Sequence, residues 1–440
     1  MRHALLLVVL RIATSASAAD VPGVDPALPP LIQKLGDDNF DAREAAEKAI
    51  LALGYDREEA VAPALKELLA NEKDPEIRTR LDKLVKKMSA LGAVDWSVEA
   101  GQIFQLPAIY NKRIYIGNKD GTLICYEAAT GKTIWTHENG GFIFKSVAAA
   151  QGRVILIRTR KDGSPDGRVF ALDALDGREL WSWQDEKRSQ SFTAPIVADG
   201  AVYFGRENKL ICLDALQGEK RWIIQTASLN SILAPPAVAE GRVIFGQYGG
   251  SLQCVNAVDG KPLWECDLEG HVYAGASIDG GRVFTAGGNT VYRIDLKTGE
   301  KVWESRGNDA VTVPLAVKGA RVFAAHSQTL RCLNAEDGKE IWSKETGGHI
   351  YAAPAAVGER VYLGALNNRL TMYCLNAADG KEFWTHCTLE GGYAEPIVVG
   401  RRLFMGYHSK FYCLKTGANG PDAWPMSGGN PGRSGCNDER

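Results

Sequence analysis

Residues 330–342 read LRCLNAEDGKEIW, and close variants of this stretch recur along most of the chain. Each copy combines alternating apolar residues, a short turn and a final tryptophan. The copies end at Trp135, Trp181, Trp222, Trp264, Trp303, Trp342 and Trp384, and Trp96 and Trp424 flank them. Successive tryptophans are 39, 46, 41, 42, 39, 39, 42 and 40 residues apart. A fixed period of about forty residues without helical spacing predicts a radial array of small β-sheets, a β-propeller.

Each repeat contains the pattern of four short strands. P-x-V-x-x-G-R-V-Y-x-G precedes a polar turn, and L-x-C-L-N-A, a D-G-K turn and the tryptophan strand follow. Asp199-Gly200, Glu240-Gly241 and Lys318-Gly319 mark tight turns that require positive φ. An outer-strand indole would bury roughly 150 to 250 Å² against the next blade, where its NH needs a backbone carbonyl. The sequence therefore predicts an all-β, eight-bladed propeller of four-stranded blades over residues 94–427.

The tryptophan repeat also carries a family resemblance. Residues 171–181, ALDALDGRELW, follow the pattern A-x-D-x-x-x-G-K-x-x-W with Arg178 in place of the lysine. The pattern resembles the tryptophan-docking motif of the pyrroloquinoline-quinone (PQQ)-like propeller repeat. Quinoprotein alcohol dehydrogenases share this repeat with the propeller lipoprotein of the outer-membrane β-barrel assembly machinery. The resemblance covers roughly residues 94–435 and is less specific for function, because the fold carries both enzymes and scaffolds.

Closure of the ring requires one strand from a distant part of the chain. Only three strands of the eighth unit precede a Gly/Pro-rich segment, so a fourth must pair with them. The strand around Trp96, VDWSVE, can supply it from the N-terminal side. Trp424 is the rival: Pro421 and Pro425 bracket it, and proline is tolerated on an edge strand. We favour Trp96, and we expect residues 428–440 to form a flexible tail.

The first nineteen residues resemble a secretory signal. Arg2 precedes an apolar run from Ala4 to Leu10, and Ala16-x-Ala18 is a small-residue cleavage site, although Arg11 shortens the run. We therefore predict a signal peptide over 1–19 and a periplasmic or secreted protein. No cysteine lies near the cleavage site, so the lipid anchor of the assembly lipoprotein is not carried over. No apolar run is long enough for a membrane span, and the net charge of −2 argues against nucleic acid.

Residues 25–90 have a different pattern, typical of helices. Apolar residues recur at helical spacing from Ala42 to Leu53 and again from Ile77 to Met88, where Asp74 is a candidate N-cap. We predict helices near 26–35, 41–53, 59–70 and 75–88. The segment resembles a pair of HEAT-like hairpins. Two hairpins are fewer than a solenoid usually needs, so the segment is either a structural cap or a docking arm.

The nine cysteines are predicted to be mainly core residues. Six occupy one repeat position: Cys125, Cys212, Cys254, Cys332, Cys374 and Cys413. Equivalent positions in packed sheets are about 10 Å apart, too far for a disulfide. Cys266 and Cys387 could each bridge back within a hairpin, and Cys436 is left over. Asp162 and Asp166, in the insert of the second unit, lack further oxygen ligands and indicate a solvated turn, not a calcium loop.

The quinone-dependent dehydrogenases that share the repeat hold PQQ with an adjacent Cys-Cys disulfide and a calcium ion. This sequence contains no Cys-Cys pair and no C-x-x-C-H haem site. We considered PQQ and calcium and predict neither as a cofactor. The resemblance therefore carries the blade and not the cofactor site.

A candidate binding surface lies in the segments that lead into each blade. One column of these segments reads Phe104, Phe144, Phe192, Leu233, Tyr273, Thr312, Tyr351 and Tyr393. His271 and His349 share a column two residues earlier, and Glu395 is the one carboxylate near the aligned prolines. Together they suggest an aromatic ring at a channel mouth, suited to a peptide or sugar. The alternative is that the aromatics recur because every blade packs in the same way.

Catalysis and metal binding at this surface are poorly supported. Glu395 lacks a second carboxylate, and the two histidines lack a third donor. The sequence therefore predicts a non-enzymatic, exported propeller that acts as a protein-binding or assembly scaffold, monomeric and with an unidentified protein partner. The alternatives are a PQQ- and calcium-dependent quinoprotein oxidoreductase with an atypical site, and a carbohydrate-binding propeller.

Overall fold

The computed structural model describes residues 27–56, 58–89, 94–103, 106–138, 140–143, 145–159, 167–184, 191–227, 229–367, 369–387, 395–407 and 409–416. The chain divides into two compact units, one helical and one made of β-strands. The predicted signal peptide, Asp162, Asp166, Trp424, Cys436 and the predicted tail lie outside the described residues. None of the described helices is both long and apolar enough to cross a membrane.

The helical unit contains four helices, as predicted. They are α1 (Leu28–Lys34), α2 (Phe40–Asp56), α3 (Glu58–Asn71) and α4 (Pro75–Ser89). The Asp74 carboxylate caps α4 by accepting hydrogen bonds from the NH groups of Glu76 and Ile77 at 2.9 and 3.0 Å. The apolar faces meet in one core around Ile50, Leu65 and Leu84. The HEAT-like character of these helices stays a prediction.

The β unit is an eight-bladed propeller, which confirms the predicted fold class. Blade 1 consists of β2 (Ala108–Tyr110), β3 (Arg113–Gly117), β4 (Thr122–Glu127) and β5 (Thr133–Glu138). Blade 2 consists of β6 (Ala148–Ala150), β7 (Arg153–Arg158), β8 (Arg168–Asp173) and β9 (Glu179–Trp183). Blade 3 consists of β10 (Ile196–Ala198), β11 (Ala201–Arg206), β12 (Lys209–Asp214) and β13 (Lys220–Gln225). Blade 4 consists of β14 (Ala237–Ala239), β15 (Arg242–Gly246), β16 (Ser251–Asn256) and β17 (Pro262–Asp267).

The remaining blades follow the same order. Blade 5 consists of β18 (Ser277–Asp279), β19 (Arg282–Gly287), β20 (Thr290–Asp295) and β21 (Lys301–Arg306). Blade 6 consists of β22 (Ala316–Lys318), β23 (Arg321–His326), β24 (Thr329–Asn334) and β25 (Glu340–Glu345). Blade 7 consists of β26 (Ala355–Val357), β27 (Arg360–Asn367), β28 (Arg369–Asn376) and β29 (Glu382–Cys387). Blade 8 consists of β30 (Ile397–Val399), β31 (Arg402–Tyr407), β32 (Lys410–Lys415) and β1 (Val94–Glu99).

Ring closure uses the strand that contains Trp96, as predicted. β1 pairs antiparallel with β32, with Trp96 opposite Cys413 and Val98 opposite Phe411. The Trp96 ring also packs against blade 1, because a Cβ on Gly131 would lie 2.7 Å from it. The first strand of the propeller thus completes the last blade and contacts the first.

The recurring tryptophans join neighbouring blades. Six indole NH groups donate to a backbone carbonyl of the next blade, from Trp135 to Ala174, Trp181 to Ala215, Trp222 to Ala257, Trp264 to Leu296, Trp303 to Ala335 and Trp342 to Ala377. The distances run from 2.9 Å for Trp264 to 3.3 Å for Trp135. The expected carbonyl partner is confirmed for these six. The NH groups of Trp96 and Trp384 have no partner among the described residues.

The repeated cysteines are buried core residues, as predicted. Burial raises the pKa of Cys125, Cys212, Cys254 and Cys332 to about 12. In the hairpin of blade 4, Cys254 lies opposite Trp264 and Cys266 lies opposite Leu252. In blade 7 the register likewise places Thr371 opposite Cys387. The strand register therefore aligns neither possible cysteine pair.

The turn prediction holds with one correction. Asp199 and Gly200 have φ of 49° and 70°, and Glu240 and Gly241 have φ of 49° and 69°. In the third turn only Gly319, at 58°, has positive φ. The preceding residue, Lys318, is still paired as the last residue of β22, so it keeps an extended backbone.

Candidate functional site

Several of the described loops between blades are held by a hairpin at one end of a blade. The backbone NH of Ile350, in the loop into blade 7, donates to the carbonyl of Ser327 in the blade 6 hairpin at 2.7 Å. Ile232 donates in the same way to Glu207 of blade 3 at 2.7 Å, and Val311 to Gly288 of blade 5 at 2.9 Å. The middle of each of these loops is thereby fixed to the preceding blade.

This attachment decides which loop residues face solvent. The middle residues, including Ile232, Val272, Val311 and Ile350, are buried. The residues after them are exposed, with Leu233 at 40%, Tyr273 at 38% and Tyr351 at 47%. Thr312 is also exposed.

The predicted aromatic column therefore contains two kinds of residue. Phe192 is buried and packs against Phe204, with ring centroids 6.1 Å apart, as the packing interpretation expects. Tyr273 and Tyr351, in contrast, are exposed. Phe104, Phe144 and Tyr393 lie outside the described residues, so the complete aromatic ring stays a prediction.

The first predicted histidine belongs to an aromatic cluster between blades 4 and 5. The His271 ring stacks on Tyr248 of the blade 4 hairpin, with centroids 3.9 Å apart and planes at 12°. Tyr273 stands at 80° to Tyr248 and 79° to His271. Nδ1 of His271 also lies within hydrogen-bonding reach of the Tyr248 carbonyl. Partial desolvation, together with Tyr248, raises the pKa of Tyr273. We name these three residues the Tyr248 cluster.

The second predicted histidine forms a comparable group between blades 6 and 7. Nδ1 of His349 lies 3.0 Å from Oγ of Ser327, and Nε2 lies 3.4 Å from the Gln328 side-chain amide. The Tyr351 ring lies 5.6 Å from the imidazole. The His349 backbone pairs with Leu366 through bonds of 2.9 and 2.8 Å. We name Ser327, Gln328, His349 and Tyr351 the His349 cluster.

The two clusters share one construction. Each histidine belongs to a loop and packs against the hairpin of the preceding blade. Each is followed two residues later by an exposed tyrosine. Sequence reasoning found the histidines and tyrosines but missed Tyr248, Ser327 and Gln328. The usable signal was their position in the polar turn after the second strand. Glu395 is half buried directly before Pro396.

A second group that sequence reasoning missed lies beneath the loops. At the end of the second strand, three blades carry a buried polar side chain that bonds a carbonyl of the incoming loop. Asn118 donates to Ala100 at 3.0 Å, and Gln247 donates to Asn230 at 2.9 Å. Nδ1 of His326 lies 2.7 Å from the Asp309 carbonyl oxygen. We call Asn118, Gln247 and His326 the loop anchors.

The eight four-stranded blades and their tryptophan repeat define the class of protein as a PQQ-like β-propeller. The chain belongs to the family described as outer membrane protein assembly factor BamB, whose model matches residues 82–233, 225–315 and 288–425.

Individual relatives are distant. An alignment 136 positions long, which covers 23% of this chain and 33% of the relative, gives 26% identity to the outer membrane protein assembly factor BamB of Nitrosomonas eutropha. A stretch of 109 residues, 25% of this chain, is 28% identical to the quinoprotein alcohol dehydrogenase PedE of Pseudomonas putida and covers 16% of it. The matched stretches thus span a third or less of these relatives.

The crystal structure of BamB from Moraxella catarrhalis superposes with a TM-score of 0.62 at 16% sequence identity. The superposition covers 73% of this chain and 97% of that one. At this identity the likeness concerns the fold.

The quinoprotein relatives raise the question of a PQQ and calcium site. Among the described residues, no three His, Cys, Asp or Glu side chains are grouped closely enough to hold a metal ion. The sequence also lacks adjacent cysteines. The adjacent cysteine pair that the resemblance implies is therefore missing from the sequence.

Proposed function

We propose that this chain is a non-enzymatic, exported propeller that binds a protein partner and acts as a scaffold. The observation that carries the proposal is the pair of exposed histidine–tyrosine groups, the Tyr248 and His349 clusters, on rigidly attached loops. Tyrosine suits protein interfaces because its ring supplies apolar area while its hydroxyl stays hydrated. Hydrogen bonds that these loops donate to carbonyls of the preceding hairpins order the loops in advance, which lowers the entropy lost on binding.

The family supports a scaffold function with an exported location. The matching family model is described as an assembly factor of outer membrane proteins. The apolar N-terminal segment and its small-residue cleavage site support export to the periplasm. The proposal also takes the protein to need neither PQQ nor calcium.

Site-specific crosslinking tests the binding surface. A photoreactive residue would replace Tyr351 in the full-length protein, and a control probe would replace Leu216, which is exposed in the turn at the opposite end of blade 3. We expect one defined protein to crosslink at position 351 and not at 216. Removing the second aromatic, Tyr273→Ala, should reduce that product about tenfold. An unchanged yield would contradict the assignment of this surface.

A quinoprotein oxidoreductase is the second candidate, favoured by the similarity to PedE. Titration of the purified protein with PQQ and calcium, followed by absorbance and thermal unfolding, separates it from the scaffold. Saturable binding that raises the melting temperature would overturn the scaffold proposal. No shift at high ligand concentration would support it.

The exposed faces of Tyr273 and Tyr351 also keep carbohydrate binding as a candidate. A glycan panel tests this function. Binding that the double substitution Tyr273→Ala and Tyr351→Ala abolishes would favour a glycan over a protein partner.

A further inference from the structure

His326 is a buried imidazole with two polar contacts that fix its protonation state. Its side chain is 2% exposed. Nδ1 lies 2.7 Å from the Asp309 carbonyl oxygen, which can only accept, so Nδ1 carries the proton. Nε2 lies 3.4 Å from Nη1 of Arg331, which can only donate. The Asp309 contact places a proton on Nδ1, and the Arg331 contact uses Nε2 as an acceptor, so together they favour neutral histidine with the proton on Nδ1.

The surroundings of His326 leave it little freedom to move. A Cβ added to Gly307 would lie 2.3 Å from the imidazole, so the ring packs directly on this glycine. Arg331 is itself held, by Glu340 at 2.6 Å and by the Ser305 hydroxyl at 3.2 Å. A protonated imidazole could not turn away from the guanidinium without displacing the loop or the strand.

Three charged groups face His326, and they shift the pKa of its imidazole in different directions. Burial is the main cause that lowers the pKa of His326, and Arg331 on β24 lowers it further. The hydrogen bond to the Asp309 carbonyl and the carboxylates of Asp309, in the loop, and Glu340, on β25, act against them. The net shift favours the neutral form.

His326 is directly connected to the candidate binding surface. The next two residues, Ser327 and Gln328, contact the His349 ring. The Ser327 carbonyl also accepts the hydrogen bond from Ile350, and the Gln328 carbonyl accepts two from Thr346. Movement of His326 would therefore reach both the loop into blade 6, through Asp309, and the loop into blade 7.

The other two loop anchors show how a side chain that does not titrate near neutral pH acts at this position. Asn118 and Gln247 bond the incoming loop of their blades through side-chain amides. Gln247 also donates to the Thr226 hydroxyl at 2.7 Å. Among the loop anchors, only His326 can change charge near neutral pH.

We propose that His326 is a pH-sensitive latch for the His349 cluster. Neutral His326 holds the loop into blade 6 and the hairpin that carries Ser327 and Gln328. When Nε2 gains a proton, two donors face each other at Arg331, the latch opens, and the loops into blades 6 and 7 lose order. The effect on partner binding rests on the proposed function, whereas the latch itself does not.

The direction of the pH dependence follows from the sign of the shift. Because the folded-state pKa lies below the ordinary value of about 6.5, the unfolded or opened state binds the proton more tightly. The latch is therefore fully stabilising above about pH 6.5 and is lost as the pH falls through the folded-state pKa.

Hydrogen exchange of the backbone amides of Val311 and Ile350 in the full-length protein tests the latch without any partner. We expect their protection, corrected for intrinsic exchange, to fall by up to about tenfold per pH unit as the pH drops from about 6.5 to the folded-state pKa, and to level off below it. His326→Gln introduces the residue type of the blade 4 anchor, and we expect it to remove this pH dependence. The control His137→Gln, on β5, should leave the pH dependence unchanged. Equal pH dependence in His326→Gln, or none in the native protein, would overturn the latch.

Two further measurements keep the test decisive. If His326→Gln does not fold, His326→Asn, which introduces the residue type of the blade 1 anchor, takes its place. Nitrogen NMR of the imidazole in the unsubstituted protein should show Nδ1–H at neutral pH, and a protonated ring there would refute the proposal. Crosslinking at position 351 across the same pH range then tests the functional consequence separately.

Discussion

At the scale of single residues, the glycine of each D-G-K turn is required by the tryptophan of the preceding blade. Gly338 has φ of +71°, and a Cβ there would lie 2.6 Å from the Trp303 ring. Six other glycines bear the same relation to a tryptophan: Gly131, Gly177, Gly218, Gly260, Gly299 and Gly380. The repeated glycine therefore permits a contact between blades as well as the turn itself.

We expect Gly338→Ala to lower the free energy of unfolding by about 2 to 4 kcal/mol. The substitution combines positive φ with a clash against the buried indole, which cannot move without opening the blade interface. Urea unfolding followed by tryptophan fluorescence measures the change. The matched control is Gly319→Ala, where φ is +58° but no atom lies within 4 Å of the new Cβ. Equal destabilisation by the two variants would show that the steric contact is unimportant.

The site residues also show how much can be inferred from comparing one sequence position across the repeats. His271 and His349 stood out because most blades lack histidine there, and in the structure each contacts the hairpin of the preceding blade. Tyr248 and Ser327 do not stand out, because polar turn residues are common in every blade. Their roles come from contacts about twenty residues away along the chain.

At the scale of elements, a buried ion cluster joins α2 to α4. Glu47 is 3% exposed and bonds Arg80 at 2.6 Å and Lys83 at 2.7 Å. Arg80 also bonds Glu44 at 3.0 Å and Glu76 at 2.8 Å. These bonds compensate the desolvation of the charges and set the register between the two helices.

Glu47→Gln should destabilise the helical unit by about 2 to 4 kcal/mol, because it removes the negative charge from between two cations in a buried site. Circular dichroism at helical wavelengths during thermal unfolding measures the effect. Asp379→Asn is the control, since its pair with Lys381 is largely exposed and should contribute about 0 to 1 kcal/mol. A result in which both variants unfold like the native protein would contradict a structural role for the cluster.

The elements themselves were largely predictable. Helix boundaries followed from apolar spacing and from the Asp74 cap, and blade strands followed from alternation between turns. Lys318 was assigned wrongly because its pairing with Arg321 in the hairpin prevails over the turn preference. Local patterns locate elements well when neighbouring strands are also neighbours in sequence.

At the scale of the whole molecule, the propeller is closed by one strand. β1 precedes every other strand in sequence, yet it completes the sheet of β30, β31 and β32. The inner strands of blades 1 to 8 contact one another in chain order, from β2 and β6 to β26 and β30. Closure therefore joins the two ends of a long array.

We expect Val98→Pro to lower the free energy of unfolding by about 2 kcal/mol more than the equivalent outer-strand change His137→Pro. Both place proline two residues after a tryptophan on an outer strand, but only Val98 lies in the closing strand. His137→Pro should fray one blade, whereas Val98→Pro should release blade 8. Denaturant unfolding and hydrogen exchange of β31 and β32 distinguish them. Equal effects would mean that closure adds no stability beyond that of an ordinary edge strand.

The sequence by itself determined the number of blades, their strands, the tight turns and the tryptophan contacts, because these depend on patterns that repeat within about forty residues. It also singled out His271, Tyr273, His349 and Tyr351 of the candidate surface. Only the tertiary structure decided that β1 pairs with β32, which hairpin residues lie beside His271 and His349, and that His326 lies buried beneath the loop. These contacts join segments that are distant in sequence, and packing of neighbouring blades, not local preference, selects them.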